Sequence, residues 1–198
     1  MTRRIGLFGG SFDPVHNAHV ALACIALDTL GLDELRWIPA GQPWQKTRRV
    51  TSGAHRAAML ELAIAGEPRF VLERCELDRA GPSYTLDTVR ELQQRLAPAQ
   101  WFLIVGQDQF VNLHTWQGWA ELSSLVTLAV AARPRTTLPT DPQLQGQAYQ
   151  VLPLPSMDIA ATAIRERVAG GESIDNLVPP AVARYIGQHA LYRADTGS

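Results

Sequence analysis

Short apolar runs alternate with longer stretches in which apolar residues recur every three or four positions. Ile5 to Phe8 has the length and flanks of a buried strand. Ala21 to Leu30, ALACIALDTL, is apolar at helical spacing and closed by Gly31. Glu34 to Pro39 predicts a second strand, and Ala54 to Ala65 a helix with Met59, Leu60, Leu62 and Ala63 turned to the core. Arg69 to Leu77 predicts a third strand. The stretch GPSYTLDTVRELQQRL predicts a helix capped by Ser83 or Thr85 and running to about Leu96, before Pro98. Trp101 to Val105 is apolar throughout and therefore reads as a central strand. Leu125 to Ala132 reads as another, stopped by Arg133-Pro134, and Val151 to Pro155 as a last short one. MDIAATAIRERVAGG predicts a helix ending at Gly170, and a terminal amphipathic helix starts at Pro179 or Pro180. Such alternation predicts an α/β fold: a doubly wound, mostly parallel open sheet with helices on both faces.

Length and charge narrow the picture. A chain of 198 residues suits one domain, residues 1–198, with the C-terminal helical segment (about 158–192) packed on it. The formal net charge of −1, without blocks of like charge, speaks against a nucleic-acid surface. Cys24 and Cys75 sit inside apolar stretches, as reduced thiols of a cytoplasmic protein do. The opening MTRRIGLFGG is too short an apolar run for a signal peptide, and no stretch would span a membrane. Nothing in the pattern sets an oligomeric state.

The candidate chemistry concentrates in Gly9 to His19, GGSFDPVHNAH, which joins the first strand to the first helix. A strand, a glycine turn and a helix in that order place unpaired helix N–H groups beside the turn, where they bind phosphate. The loop lacks the Gly-Lys-Ser/Thr ending of a Walker A loop, and its glycines do not fit G-x-G-x-x-G. His16 and His19, three apart, fall on one face of the first helical turn, where a phosphate would lie. Gly9 and Gly10 let a ligand approach the backbone. Zinc is a second reading of the histidines, but Asp13 alone completes no site.

Further candidates stand at other strand ends. Lys46, in a polar loop with Arg48 and Arg49, is placed to close over a polyphosphate. Tyr84 is either a hydrophobic staple or a stacking surface at a helix entrance. Gly106-Gln107-Asp108 is a second glycine turn bearing a carboxylate, and Trp116 reads as a ligand platform while Trp119 reads as core. Thr162 and Arg165 share a face at a helix start, a second anion site. His55 reads as a surface residue and His189 as structural. With the first strand and Trp101 to Val105 adjacent at the point where strand order reverses, both glycine turns line one crevice.

The string GGSFDPVHNAH resembles the nucleotidyltransferase superfamily signature G-x-F-D-x-x-H-x-G-H, with Ala18 where the pattern has glycine. PAGQPWQK, GPSYTLDT, VGQDQFVNLHTW, AARP, AATAIR and LVPPAVARYIGQHALY follow in order. Together they resemble the bacterial nicotinate-nucleotide adenylyltransferase family across nearly the whole chain. The resemblance implies a Rossmann-like sheet and a reaction of ATP with nicotinate mononucleotide that yields deamido-NAD and pyrophosphate. Mg2+ is implied as an ion carried by ATP and pyrophosphate, without a dedicated protein site. The implied catalytic residues are His16, His19, Lys46 and Arg165. Gly9, Gly10, Ser11, Phe12, His16, His19, Gly106, Asp108, Thr162 and Arg165 are implied for ATP. Lys46, Tyr84, Thr85, Asp108, Trp116 and Arg133 are implied for nicotinate mononucleotide, its ring on Trp116. Ala160 and Ala161 replace two hydroxyl residues of the family's I-S-S-T-x-I-R segment, and Trp44 and Gln45 replace proline and histidine before Lys46. The nicotinamide analogue remains an alternative substrate at this level. A pantetheine-phosphate or glycerol-phosphate nucleotidyltransferase would share the first motif but not explain GPSYT with Asp108 and Trp116. Retention of both histidines, Lys46, Thr162 and Arg165 argues against a nucleotide-binding regulator without catalysis, and a metal-dependent hydrolase is a third rival.

Overall fold

A computed structural model of the chain describes residues 2–42, 50–132 and 148–193. Six strands among them form one parallel sheet: β1 (Arg3–Gly10), β2 (Glu34–Pro39), β3 (Phe70–Leu72), β4 (Ala99–Gly106), β5 (Thr127–Ala132) and β6 (Tyr149–Pro153). Their order is β3-β2-β1-β4-β5-β6, with every neighbouring pair parallel. β1 lies against both β2 and β4, with Phe8 opposite Trp37 on one side and Ile104 on the other. The expected adjacency of the first strand and the apolar fourth one is therefore present. Both are buried along their middles, which is why they carry unbroken apolar runs.

Helices cover both faces, as the alternation predicts. On one face α1 (Asn17–Leu30), α2 (Gly53–Ile64), α7 (Ala161–Ala169) and α8 (Pro180–Gln188) bury Leu27, Leu60, Ile164 and Val182 in a core centred on Phe8 and Trp37. On the other, α4 (Thr85–Arg95) and α6 (Trp119–Leu125) bury Val89, Leu92 and Leu122 against Leu7, Leu103 and Val130. Strand residues alternate between the two cores, Leu7 to one and Phe8 to the other, as the pleat requires.

Several boundaries depart from the pattern. β3 stops at Leu72: Glu73 turns to bind Arg36 at 2.7 Å, its other oxygen accepts the Cys75 N–H at 3.2 Å, and a helical turn, α3 (Cys75–Asp78), replaces the rest of the expected strand. β6 runs Tyr149–Pro153, two residues earlier than read, because its register is set by β5. Leu125 ends α6 and is not part of β5. α1 begins four residues before its apolar run, at Asn17, whose N–H is taken by the Leu177 carbonyl at 2.9 Å. The segment after Gly106 holds two short helices the pattern did not announce, α5 (Gln107–Phe110) and a 3-10 turn (Leu113–Thr115). Leu62 is 40% exposed, not core, and Cys24 is exposed on the outer side of α1. Trp119 is half-buried against the α4–α6 core.

Gly118 closes this segment, adopting φ +66 at the start of α6, and a Cβ there would stand 2.3 Å from Leu86 Cδ2. Gly118→Ala is therefore expected to lower unfolding free energy by about 2 kcal/mol, from left-handed strain and displacement of Leu86 together. A urea midpoint shift at unchanged m-value measures it.

Candidate active site

The strand order reverses between β1 and β4, and a cavity of about 630 Å³ opens at the carboxyl ends of these strands. Gly9, Gly10, Ser11, His16 and His19 line one wall; Tyr84, Thr85, Gly106, Asp108 and Trp116 line the opposite one. Two glycine turns separated by nearly a hundred residues thus share one crevice, as the sequence reading requires. Gly9 is exposed, so its backbone faces solvent in the crevice.

His16 is the N-cap of α1 and His19 its third helical residue, so both rings sit over the helix start. They stack with centroids 3.6 Å apart and planes 21° apart. His19 Nδ1 accepts the backbone N–H of His16 at 3.2 Å, which leaves the ring proton of neutral His19 on Nε2, as a donor. His16 Nδ1 is buried and meets no hydrogen-bond partner among the described residues. Burial pulls the His16 pKa down to about 4, so the ring is neutral near pH 7. No acidic residue stands in the first turn of α1, so nothing from that turn cancels the positive end of the helix. A neutral, donor-bearing helix start with an unsatisfied ring nitrogen is chemically able to hydrogen-bond phosphate oxygens.

Phe12 is among the residues that line the cavity, and its ring also packs inward. Its ring is 1% exposed, wedged edge-on to Phe8 at 5.5 Å and to His19 at 5.1 Å. Its backbone stands at φ +46, rare for a bulky residue and maintained by that packing. Phe12 therefore shapes the loop and supports His19 from below.

Behind the loop lies a buried polar layer that no spacing announced. Asp13 is 0% exposed; its Oδ1 accepts the Tyr192 hydroxyl at 2.7 Å, and its backbone carbonyl accepts Arg165 Nη1 at 2.8 Å. Arg56, 2% exposed on α2, donates to the carbonyls of Thr51 and Ser11, each at 2.9 Å. These contacts tie the signature loop to α2, α7 and the C-terminal end. The one available signal was arginine on the apolar side of a helix, which predicts paired burial.

Thr162 and Arg165 share a face as expected, with Arg165 Nη2 donating to Thr162 Oγ1 at 2.9 Å. The cavity wall includes Ala161 but neither of these two, so Arg165 stands at the edge with its guanidinium braced on the loop. Lys46 and Arg133 lie outside the described residues.

The opposite wall is built by α3 and α4. Tyr84 is the N-cap of α4 without a side-chain cap bond, so the first N–H groups of that helix are not capped by it. Ser83 Oγ accepts the Gly41 N–H at 3.0 Å, fastening this entrance to the end of β2. Gly41 is obligatory, since a Cβ would lie 1.9 Å from the Glu76 carbonyl. Glu76 is a buried acid on the wall, accepting the Thr88 hydroxyl at 2.7 Å, and burial raises its pKa. Trp116 is half-buried against the α4–α6 core and faces the cavity, a fixed aromatic surface. His55 is more than a surface residue: its Nδ1 meets the Tyr185 hydroxyl at 2.9 Å, joining α2 to α8. His189 is exposed, with its ring 4.2 Å from Tyr185. Cys24 and Cys75 are both free thiols, and burial with neighbouring carboxylates pushes Cys75 up to about 12, so it is inert. Among the described residues no three His, Cys, Asp or Glu side chains converge on a metal position, and no helix is long and apolar enough to cross a membrane.

Known proteins share both the sequence and the architecture. A family model described as Cytidylyltransferase-like matches residues 7–167. A Methylibium petroleiphilum protein named "Probable nicotinate-nucleotide adenylyltransferase" is 48% identical over 201 residues, spanning 98% of this chain and 95% of the relative. A Bordetella pertussis protein of the same name is 44% identical, spanning 96% of this chain and 98% of its own length. Among solved structures, the Plasmodium falciparum nicotinic acid mononucleotide adenylyltransferase complexed with NaAD superposes with a TM-score of 0.78 at 18% identity. It covers 96% of this chain and 97% of its own, a likeness of fold.

The buried neutral His16 makes stability pH-dependent. Its folded pKa of about 4 lies below the unfolded value near 6.5, so the unfolded chain takes up the proton first. The contribution is fully present above about pH 6.5 and lost as pH falls through about 4, amounting to about 3 kcal/mol. Urea unfolding of wild type and His16→Asn at pH 7 and pH 4.5 is expected to show a smaller acid loss in the variant.

Proposed function

We infer the reaction from one premise: the chain belongs to the cytidylyltransferase-like family, among its nicotinate-nucleotide adenylyltransferases. It is an adenylyltransferase of NAD biosynthesis, joining ATP and nicotinate mononucleotide into deamido-NAD and pyrophosphate. The observation that supports this reading at residue level is the stacked imidazole pair at the start of α1. One of its nitrogens is held as a donor by tautomer, and another is buried without a partner.

The chemistry asks for no protein nucleophile. A 5′-phosphate oxygen of the mononucleotide attacks the α-phosphorus of ATP, the bond from that phosphorus to the β-bridging oxygen breaks, and pyrophosphate leaves in line. Catalysis then rests on alignment and on donors that strengthen as charge builds on the phosphates. We assign His19 Nε2–H and the His16 ring to those oxygens, with the amides of Gly9, Gly10 and Ser11 beside them. Gly106 and Asp108 take the adenosine side of the crevice, and Asp108 also faces the mononucleotide. Tyr84, Thr85 and Trp116 take the pyridine end, with the ring on Trp116 and its carboxylate on the N–H groups at the start of α4. Thr162 and Arg165 serve the triphosphate, Arg165 from its place on the Asp13 carbonyl. Lys46 and Arg133 keep the roles the resemblance implies, on the phosphates and on the mononucleotide.

Mg2+ arrives on the polyphosphate in this reading. Asp13 is buried and engaged, and Asp108 is the one carboxylate of the two glycine turns left to face the ligands, which suits an ion brought by substrate. The ion supplies charge neutralisation on the phosphates. We place the reaction in the cytoplasm, in keeping with two free thiols.

The test offers ATP with nicotinate and nicotinamide mononucleotides in competition. Deamido-NAD and pyrophosphate in equal amounts are expected as the main products, whereas a pure nucleotide binder releases no pyrophosphate. His19→Ala is expected to lower kcat at least about a hundredfold, the scale of one lost transition-state donor. Near-normal turnover in that variant would remove His19 from the site.

A further inference from the structure

We propose that Tyr192 is a positioning residue for the phosphate-binding loop, tying the end of the C-terminal helical segment to Asp13 and, through Asp13, to Arg165. The proposal rests on the adenylyltransferase reading and extends it to a residue far outside the signature.

Three observations carry it. The first is the bond itself: the Tyr192 hydroxyl donates to Asp13 Oδ1 at 2.7 Å, inside a site where Asp13 is 0% exposed. A carboxylate so buried depends on each donor it keeps, because water does not replace a lost one. The second is where Asp13 leads. It lies between the left-handed Phe12 and the N-cap His16, and its own carbonyl accepts Arg165 Nη1 at 2.8 Å, while the Thr51 N–H approaches Oδ2 at 3.5 Å. A shift of Asp13 therefore moves the loop and the guanidinium together. The third is conformational. Ala190 stands at φ +49 and Tyr192 at φ +61, backbone states that side-chain-bearing residues avoid. The chain turns back on itself after α8, with Leu191 N–H bonded to the Ile186 carbonyl at 3.1 Å, and this turn delivers the Tyr192 ring to the core and its hydroxyl to Asp13. Strain of this kind persists where surrounding contacts over-determine it.

α8 is itself anchored on α2 through Tyr185 and His55, so the loop is braced by an element that contributes nothing to the cavity wall. A tyrosine that merely filled space would not need its hydroxyl. One that sets the loop needs the oxygen and tolerates no substitute lacking it.

The decisive variant is Tyr192→Phe, which keeps the ring and removes the donor. Its expected signature is a kcat about tenfold lower and a raised KM for ATP, with the KM for the mononucleotide unchanged. A lowered melting temperature with kcat and both KM values at wild-type levels overturns the proposal, since that is the mark of a structural role alone. In the background of Arg165→Met, the further loss from Tyr192→Phe is expected to shrink to about twofold, because the two act through one residue. Full multiplication of the two losses overturns it as well. Should wild-type protein bind Mg-ATP yet make no deamido-NAD, the reaction assigned above fails. Calorimetric binding of Mg-ATP then decides this inference separately: weaker binding by Tyr192→Phe supports it, and equal binding overturns it.

Discussion

The chain leaves β1 through α1 and β4 through α6, which pack on opposite faces of the sheet, so among the described residues these helices diverge and leave a crevice where the two strands end side by side. That opening is a consequence of strand order and helix placement before any side chain is considered. Everything with chemical character in this protein is arranged around it. Glycines at the ends of β1 and β4 keep the backbone accessible, and the helices that follow β1 and precede β4 turn their amino ends towards the gap. A helix start thus stands on each side of the gap, one from each face of the sheet.

The electrostatics of the two walls differ in kind. The wall on α1 is neutral by desolvation: His16 gives up its charge to burial, and His19 is held in one tautomer by a backbone amide. Charge is held one layer back, where Arg56 and Arg165 donate to the Ser11 and Asp13 carbonyls and the Asp13 carboxylate takes the Tyr192 hydroxyl. The loop is thus rigid for reasons unconnected with its ligands, and donors fixed in advance lose little reorganisation energy during reaction. Glu76 performs the matching service on the far wall, holding the entrance of α4 through Thr88.

How much of this the chain discloses in one dimension depends on whether the cause is local. The glycine turns, the paired histidines and the apolar fourth strand follow from periodicity and spacing, and each stands where those rules place it. The shortfalls have non-local causes. β3 ends early because Glu73 finds Arg36 on the neighbouring strand, and α1 starts early because Leu177 takes the Asn17 amide from a segment remote in sequence. Phe12 lines the cavity, and the part its motif does not announce is the packing of its ring into the aromatic cluster of Phe8 and Trp37. Arg56 and Tyr192 look like ordinary residues of amphipathic helices and tails. Only the packed structure shows their polar atoms sealed against the loop.

By itself, then, the amino-acid sequence determined the alternating architecture, the glycine turn between the first strand and the first helix, and the pairing of His16 and His19 on one helix face. Those features depend on hydrophobic period, backbone freedom at glycine and side-chain spacing within one element. The tertiary structure decided strand order, the ionisation and tautomer of the histidines, and the buried brace of Asp13, Arg56, Arg165 and Tyr192. Each of these arises from burial and from contacts between segments that lie up to 179 residues apart, and burial is a property no single segment possesses.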